Sequence, residues 1–248
     1  MNNINDLKEK FLEIKNQKWI KSVNNSTSGI GLTFEKLLGK ERESFEIPDY
    51  NGIEIKTHSS TSDSYITLFN ATPDGDYLFE IPRLKDNYGY PDKIKRDSLV
   101  FMGNVNGKTA EFIGIKYKFK IKNVKKEEKI RLEIYDRNDN LIENEISWTF
   151  STLKEKINRK LQLLALVTAD KKIQNDKHYY RYTQIDFYQL KDFETFLDLI
   201  EKGKIIVTFS IGVFRTGEKR GQIHNHGTAF RISEKNLELL YTKLLQVQ

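Results

Sequence analysis

Two carboxylates and an ammonium group lie close together in residues 48–57, which read Pro-Asp-Tyr-Asn-Gly-Ile-Glu-Ile-Lys-Thr. Glu54 and Lys56 alternate with two isoleucines, a spacing that puts both side chains on one face of a strand. The preceding Asn-Gly pair can form a tight turn that brings Asp49 beside Glu54. Carboxylate oxygens are preferred ligands of magnesium, and a nearby lysine can stabilise negative charge developing on a phosphate. The segment therefore predicts a magnesium-dependent phosphodiesterase site, with Asp49 and Glu54 as metal ligands.

The same Glu-x-Lys spacing occurs twice more, because charged residues make up 31% of the chain. Residues 4–20 have the apolar period of an amphipathic helix, in which Glu13 and Lys15 point about 200° apart. The Glu-Glu-Lys string at 127–129 lies in a charge run between two strand-like segments and is interpreted as an exposed turn. Only in the string at 54–56 are the Glu and Lys side chains expected to lie on one face, with a second carboxylate beside them.

A third acidic residue, Glu35, lies in a short predicted helix over 31–39. Leucines three residues before and after it place its carboxylate at the edge of the apolar face. That position is unfavourable unless a cation or a hydrogen-bonding partner is close by. The functional interpretation is an acid beside the metal, and the alternative is an ordinary surface glutamate.

Composition indicates a globular chain of one domain, or of one domain in two lobes. It has 248 residues, of which 38% are apolar and 12% aromatic. No apolar run is long enough to cross a bilayer, and the polar N-terminal residues lack a signal-peptide core, so a cytoplasmic location without membrane contact is expected. The absence of cysteine excludes disulfides, iron–sulfur clusters and thiolate zinc sites.

Positive charge is concentrated in two segments outside the acidic cluster. Residues 83–131 carry 14 Lys/Arg against 6 Asp/Glu, and residues 202–231 carry 6 against 1, in a chain with a net charge of +6. A strand at 115–122 would place four alternating lysines on one face. Such segments would attract a polyanion such as DNA. The alternative is a basic but merely solvated surface.

The element pattern predicts a mixed α/β chain. The helix at 152–163, followed by an apolar run at 163–169, suggests a helix entering a buried strand. Further helices are predicted at 190–202 and, with Ser233 as N-cap, at 233–244. Strands are predicted at 53–57, 64–70, 77–81, 98–103, 110–122, 130–136, 146–150 and 204–214.

The C-terminal third contains a His-Asn-His string within a basic, glycine-punctuated stretch. A zinc site is not supported, because no Asp, Glu or Cys lies within 219–232 to supply a third ligand. Arginine and imidazole N–H groups can donate to guanine O6 and N7 in the major groove. The alternative is a basic surface hairpin. The predicted DNA-binding residues are Arg215, Lys219, Arg220, His224, His226 and Arg231.

These segments together resemble the monomeric type II restriction endonucleases of the MvaI/BcnI type, particularly the MvaI branch, among the MutH-like PD-(D/E)xK nucleases. Three motifs carry most of the resemblance: Gly-x-x-Phe-Glu-x-Leu-Leu-Gly at 31–39, Pro-Asp at 48–49 and Ile-Glu-Ile-Lys-Thr-His at 53–58. Further similarity lies at 147–150, 177–182 and 224–232, so the resemblance covers nearly the whole chain.

The resemblance implies a PD-(D/E)xK core with a mixed sheet flanked by helices, in an α/β (mixed α+β) chain of two lobes. The catalytic lobe is expected at 1–82 with 140–182, and the DNA-recognition lobe at 83–139 with 183–248. The implied active site comprises Glu35, Asp49, Glu54 and Lys56, with Mg²⁺ as cofactor, for which Mn²⁺ can substitute. Lys160 resembles a supporting lysine of the MutH branch.

The implied activity is hydrolysis of double-stranded DNA at a GC-containing, pseudosymmetric site of about five base pairs. The implied enzyme is a monomer that works alongside a cognate DNA methyltransferase. CCWGG is the leading candidate sequence. Relatives that read CCWGG carry an arginine where this chain has Ser210, so the exact target does not transfer.

Two alternatives remain open from the sequence. A MutH-like strand-nicking enzyme of mismatch repair would depend on a partner ATPase, and autonomous cutting of unmodified plasmid would exclude it. A catalytically silent DNA-binding protein would bind DNA and leave it intact in magnesium or manganese. The presence of Asp49, Glu54 and Lys56 together argues against the silent protein.

Overall fold

The computed structural model describes residues 2–39, 48–61, 65–94 and 96–248 of the chain. The six helices within these residues are α1 (Asn2–Asn16), α2 (Gly29–Leu37), α3 (Tyr77–Tyr88), α4 (Phe150–Lys160), α5 (Phe193–Glu201) and α6 (Leu237–Leu240). None of the described helices is long and apolar enough to span a membrane.

Sixteen strands accompany these helices in the described residues. They are β1 (Ile20–Lys21), β2 (Glu54–Ser59), β3 (Tyr65–Asn70), β4 (Tyr90–Pro91), β5 (Leu99–Val105), β6 (Glu111–Ile113), β7 (Tyr117–Val124), β8 (Lys129–Tyr135), β9 (Leu141–Glu143), β10 (Ser147–Thr149), β11 (Leu163–Gln174), β12 (Lys177–Leu190), β13 (Ile205–Val213), β14 (Ile223–Asn225), β15 (Ala229–Ser233) and β16 (Tyr241–Val247). The predicted mixed α/β class is confirmed.

The chain divides into two compact units. The first comprises Met1–Ser64, Lys156–Lys191 and Leu237–Gln248, and the second comprises Tyr65–Glu155 and Asp192–Asn236. The acidic segment belongs to the first unit, and the basic hairpin with its histidines belongs to the second. Residues 65–82 and 140–155, expected in the catalytic lobe, group with the second unit, whereas residues 183–191 and 237–248, expected in the recognition lobe, group with the first.

The first unit is built on a mixed sheet with strand order β1-β12-β11-β2, in which β16 also pairs with β12. β2 runs parallel to β11, with Glu54 opposite Leu164 and Lys56 opposite Leu166. The apolar run predicted as a buried strand forms the first half of β11, and Ala165 and Val167 there are fully buried. A central strand covered on both faces needs such a continuous apolar run.

Helix α1 packs an apolar stripe onto the core of this unit. Leu7 and Phe11 are fully buried and Ile14 is 3% exposed, at helical spacings of four and three residues. The predicted N-terminal helix is therefore confirmed, although it ends at Asn16. Phe34 of α2 enters the same core and contacts the Tyr182 ring at a centroid distance of 5.0 Å.

The second unit contains two sheets. One has the order β3-β15-β13-β5-β4, with β14 also paired to β13, and the other has the order β10-β8-β7-β6, with β9 paired to β8. Strand β7 keeps the predicted alternation, because Phe119 and Ile121 are buried whereas Lys122 is exposed. The predicted strand at 64–70 is β3 from residue 65 onward, and residue 64 lies outside the described residues.

Three element predictions were wrong. The strand predicted at 77–81 is the start of α3, whose Ile81 and Leu84 are both buried at a helical spacing; a five-residue window is too short to reveal that period. The strand predicted at 110–122 is broken by a turn at Gly114, which has a φ of 71°. Ile115 therefore lies in that turn, 72% exposed, and does not share the face of Phe119.

The third wrong prediction concerns the C-terminal helix at 233–244. A 3-10 turn at Glu234–Asn236 and the one-turn helix α6 lead into strand β16 instead. Strand β16 pairs antiparallel with β12, matching Tyr241 with Leu190. Pairing with a strand distant in sequence outweighs the local helical propensity of the Leu-Glu-Leu-Leu segment.

Candidate active site

A two-residue turn brings Asp49 next to the start of β2. Asn51 and Gly52 have φ values of 46° and 85°, the left-handed conformations that a type I′ turn requires. Tyr50 and Ile53 on either side exchange both backbone hydrogen bonds, at 2.9 and 2.7 Å. The next pair outward is Asp49 and Glu54, as the sequence predicts.

The Asp49 carboxylate is fixed against the β2 backbone, since its Oδ2 accepts a hydrogen bond of 3.0 Å from the Ile55 N–H. Glu54 and Lys56 lie on one face of β2, and Lys56 Nζ is 2.6 Å from Glu54 Oε1. Lys160, at the end of α4, places its Nζ 3.8 Å from the same oxygen. Three of the four predicted catalytic side chains therefore occupy one short hairpin, with Lys160 beside them.

Glu54 is the most enclosed acid of this cluster, with a side chain only 2% exposed. Its Oε1 meets two ammonium groups, but its Oε2 is buried and has no hydrogen-bond partner within the described residues. An unsatisfied buried carboxylate oxygen is costly. A hard cation bound at Oε2 would remove that cost.

The donor set fits magnesium better than zinc. Asp49 and Glu54 offer hard oxygen atoms, and Mg²⁺ typically takes only one or two protein carboxylates and keeps several waters. Within the described ranges no group of three His, Cys, Asp or Glu side chains could hold a metal. The pair is therefore suited to an ion that completes its shell with water and substrate.

Glu35 lies on α2, which approaches β2 at Thr57, and it does not form a three-acid metal group with Asp49 and Glu54 in the described part of the chain. A Cβ built on Gly31 would lie 3.2 Å from Thr57 Oγ1 and 3.7 Å from Glu35 Oε1. The first turn of α2 thus closely approaches β2 at Thr57, and the Glu35 carboxylate lies on the same side of α2 as Gly31. Burial raises the pKa of Tyr182, and Tyr180 and Glu35 raise it further.

Tyr241 is a neighbour of the site that the sequence did not reveal. It is 1% exposed, and its hydroxyl has no hydrogen-bond partner within the described residues. Burial raises the pKa of Tyr241, and the Glu54 carboxylate raises it further. The sequence placed this residue in a terminal helix, which concealed its position in a strand of the same sheet.

The other two Glu-x-Lys strings do not form a cluster of carboxylates with a lysine. Glu13 is exposed on α1, and Glu128 is the left-handed residue that ends a 3-10 turn before β8. Glu127 pairs with Arg131 on the surface. The interpretation of these strings as a solvated helix face and an exposed turn is confirmed.

The two predicted histidines form a stacked array in the second unit. The His224 ring lies parallel to Phe214, with centroids 3.9 Å apart, and 3.8 Å from the His226 ring. Partial burial lowers the pKa of His226, and the neighbouring His224 and Arg215 lower it further. These effects favour the neutral form of the His226 ring, which has one N–H donor and one acceptor nitrogen.

The predicted DNA-binding residues lie in three places in this unit. His224, His226 and Arg215 line one pocket of about 260 Å³. Lys219 and Arg220 lie in the exposed loop between β13 and β14, where Lys219 Nζ is 5.8 Å from the Phe214 ring centroid. Arg231 lies on β15 and donates from Nε to Thr67 Oγ1 at 3.0 Å.

Arg215 has an acidic partner that the sequence analysis missed. Its guanidinium pairs with the carboxylate of Asp92, with Nη2 2.9 Å from Oδ2. The two residues are 123 positions apart, and Asp92 lies in a segment notable only for its basic charge. No local pattern could have identified it.

Comparison with known proteins identifies the family. A sequence model of the MvaI/BcnI restriction endonuclease family matches residues 8–241. Among solved structures, a complex of restriction endonuclease MvaI with cognate DNA is similar at a TM-score of 0.90 and 32% identity, covering 98% of each chain. MvaI in the absence of DNA matches at a TM-score of 0.62 and 32% identity, covering 98% of this chain and 97% of that one.

A search of curated protein sequences gave no significant match. The family match and the structural similarity confirm the expected restriction-endonuclease fold. The chain belongs to the MvaI/BcnI restriction endonuclease family and is a type II site-specific deoxyribonuclease.

Proposed function

We propose that this enzyme is a magnesium-dependent endonuclease that hydrolyses both strands of double-stranded DNA at a short GC-containing site. The observation that carries the proposal is the convergence of Asp49, Glu54 and Lys56 on one hairpin, with an unsatisfied buried oxygen on Glu54. The DNA complex of similar MvaI supports double-stranded DNA as the substrate.

Each member of the cluster has a distinct proposed role. Asp49 and Glu54 are the metal ligands, and bound Mg²⁺ would supply Lewis acidity and a more acidic water. The contact with Glu54 fixes the position of the Lys56 ammonium group. From that position Lys56 orients the attacking water and stabilises negative charge on the scissile phosphate. Glu35 supports the water molecules around the metal.

Recognition is proposed to lie in the second unit. His224, His226, Arg215 and Arg231 supply donors for base edges, while Lys219 and Arg220 contact phosphates. The unit that contains Asp49, Glu54 and Lys56 is the proposed catalytic lobe. CCWGG remains a candidate target. Relatives that read CCWGG carry an arginine at the position of Ser210, so the recognition sequence of this enzyme has to be mapped directly.

The enzyme is proposed to act as a monomer in a restriction–modification system that includes a cognate methyltransferase. One active site cuts one strand per binding orientation. Cutting of both strands then requires rebinding in the flipped orientation on a pseudosymmetric site.

Digestion of unmodified plasmid of known sequence in Mg²⁺, followed by mapping of the ends, tests the function. We expect discrete linear fragments that share one short sequence at every end, and a nicked intermediate before them. Mn²⁺ should support the same cuts, and EDTA should prevent them. Nicks that never become double-strand breaks would favour the MutH-like alternative, and DNA bound but uncut in both metals would favour the silent DNA-binding protein.

The two lysines at Glu54 should differ in importance. Lys56→Ala is expected to lower the cleavage rate by about 10²–10³-fold, because it removes a fixed donor for the developing charge. Lys160→Ala should lower it by only about tenfold, since this lysine acts through Glu54 from 3.8 Å. Single-turnover rates on pre-bound DNA separate these effects from binding.

An equal loss in the Lys56 and Lys160 variants would contradict these roles. A matched control is Lys171→Ala, which removes another lysine of the same unit, one that is exposed on β11. This control should cleave at nearly the wild-type rate.

A further inference from the structure

The ion pair between Asp92 and Arg215 has an asymmetric geometry. Asp92 follows β4, Arg215 follows β13, and three contacts join them: Nε to Oδ2 at 3.2 Å, Nη2 to Oδ1 at 3.1 Å and Nη2 to Oδ2 at 2.9 Å. The Asp92 side chain is 5% exposed, whereas the Arg215 side chain is 47% exposed. A buried anion thus holds an arginine that reaches into solvent.

The Asp92 carboxylate is itself held in place. Its Oδ1 accepts the Ile94 N–H at 2.9 Å, and the Asp92 backbone N–H donates to the Ser98 carbonyl at 2.8 Å. An arginine side chain loses considerable conformational entropy when a partner orders it. A pre-formed contact with a fixed carboxylate lowers that cost before any ligand binds.

The pairing uses only one edge of the Arg215 guanidinium. A guanidinium has five N–H donors, and the contacts to Asp92 take the edge formed by Nε and Nη2. Within the described residues Nη1 has no hydrogen-bond partner. The edge formed by Nη1 and the outer N–H of Nη2 is the one that can donate to guanine O6 and N7 together.

The surroundings of Arg215 suit a base edge. Arg215 and Asp92 line the same pocket as His224 and His226. Phe214 packs flat against the His224 ring, with the two ring planes 6° apart. The pocket thus groups an oriented guanidinium with two imidazoles, all of which can donate to major-groove acceptors.

We propose that Asp92 determines specificity as a positioning residue: it holds Arg215 by one edge so that the other edge pairs with O6 and N7 of one guanine in the recognition site. This inference rests on the proposed function, because it requires a DNA site that the enzyme reads. It assigns a role in recognition to an acidic residue inside a basic segment.

The test replaces each guanine of the mapped site, one at a time, by 7-deazaguanine, which lacks the N7 acceptor. Wild-type affinity should fall about tenfold at one or more guanines that accept donors from the protein. Arg215→Ala and Arg215→Lys should each lose this sensitivity at one particular guanine, because lysine keeps the charge without the fork. Asp92→Asn should reduce the sensitivity at that guanine to about threefold or less while leaving the other guanines unchanged.

Asp92→Asn is the sharpest variant, since an asparagine oxygen can still accept the Ile94 N–H while the anionic partner of Arg215 is lost. The matched control is Asp198→Asn in α5, which neutralises an exposed carboxylate paired with Lys202 at 2.7 Å. The Asp198→Asn variant should show the same loss of affinity as the wild type at each 7-deazaguanine substitution. Thermal unfolding of each variant verifies that it is folded, and Arg215→Lys tests the guanine contact without altering Asp92.

Either of two results would overturn the role of Asp92: an unchanged 7-deazaguanine profile in Asp92→Asn, or an equal loss of affinity at every guanine. An unchanged profile in both Arg215 variants would overturn the guanine contact. These failures differ from a failure of the proposed function. In that case the wild-type enzyme would neither bind nor cut any sequence selectively.

Discussion

Asp49→Asn and Glu54→Gln are each expected to lower the rate of DNA cleavage by about 10³-fold or more, corresponding to about 4 kcal/mol of transition-state stabilisation. Both changes preserve shape and remove one anionic oxygen ligand. Asparagine at position 49 can still accept the Ile55 N–H that Asp49 Oδ2 accepts at 3.0 Å. The loss should therefore reflect chemistry and leave the hairpin intact.

Binding should respond differently from cleavage in these variants. The two carboxylates repel the DNA phosphates when no metal is bound, so neutralising one should maintain or raise the affinity measured without metal. Fluorescence anisotropy in EDTA measures this affinity, and single-turnover cleavage in saturating Mg²⁺ measures the rate. Loss of both binding and cleavage would indicate a misfolded protein.

Asp170→Asn is the matched control for this experiment. Asp170 belongs to the same unit and accepts from Arg181 at 2.6 Å, but its side chain is 29% exposed, against 2% for Glu54. Removing its charge should cost little, as for most exposed ion pairs. Wild-type cleavage by Asp49→Asn would disprove the proposed active site.

The core of the site was predictable because local rules determine it. The Asn-Gly turn, the alternation of β2 and the positions of Asp49, Glu54 and Lys56 all follow from ten consecutive residues. Strand alternation fixes the face of each side chain, and the turn fixes the register. The helical spacing of apolar residues in α1 and α4 could likewise be recognised within short stretches of the sequence.

The features that were missed depend on contacts between distant segments. β16 exists because β12 offers it a pairing edge, and that edge is invisible in the sequence of 233–244. Tyr241 came near Glu54 only through that pairing. Asp92 meets Arg215 across 123 residues, where no spacing rule operates. Contacts between segments that are distant in the chain therefore could not be predicted from the sequence alone.

The second large expected effect separates the reading of sequence from general DNA affinity. Arg231→Ala should weaken discrimination between the target and singly mismatched sites by about 1–3 kcal/mol. Arg231 is held on β15 through Nε, which donates to Thr67 Oγ1 at 3.0 Å. Within the described residues its Nη1 and Nη2 groups have no hydrogen-bond partner, so they can donate to a guanine.

Lys122→Ala is the contrasting variant, because this exposed lysine on the wet face of β7 is expected to contact phosphate. Its loss should weaken binding to all DNA sequences equally and lower the slope of log affinity against log salt by about one. Arg231→Ala should change the mismatch penalties and leave most of that slope. Competition binding with target, mismatched and unrelated duplexes at several salt concentrations measures both quantities. Equal effects of the two substitutions on discrimination would contradict this division, because a phosphate contact carries no base information.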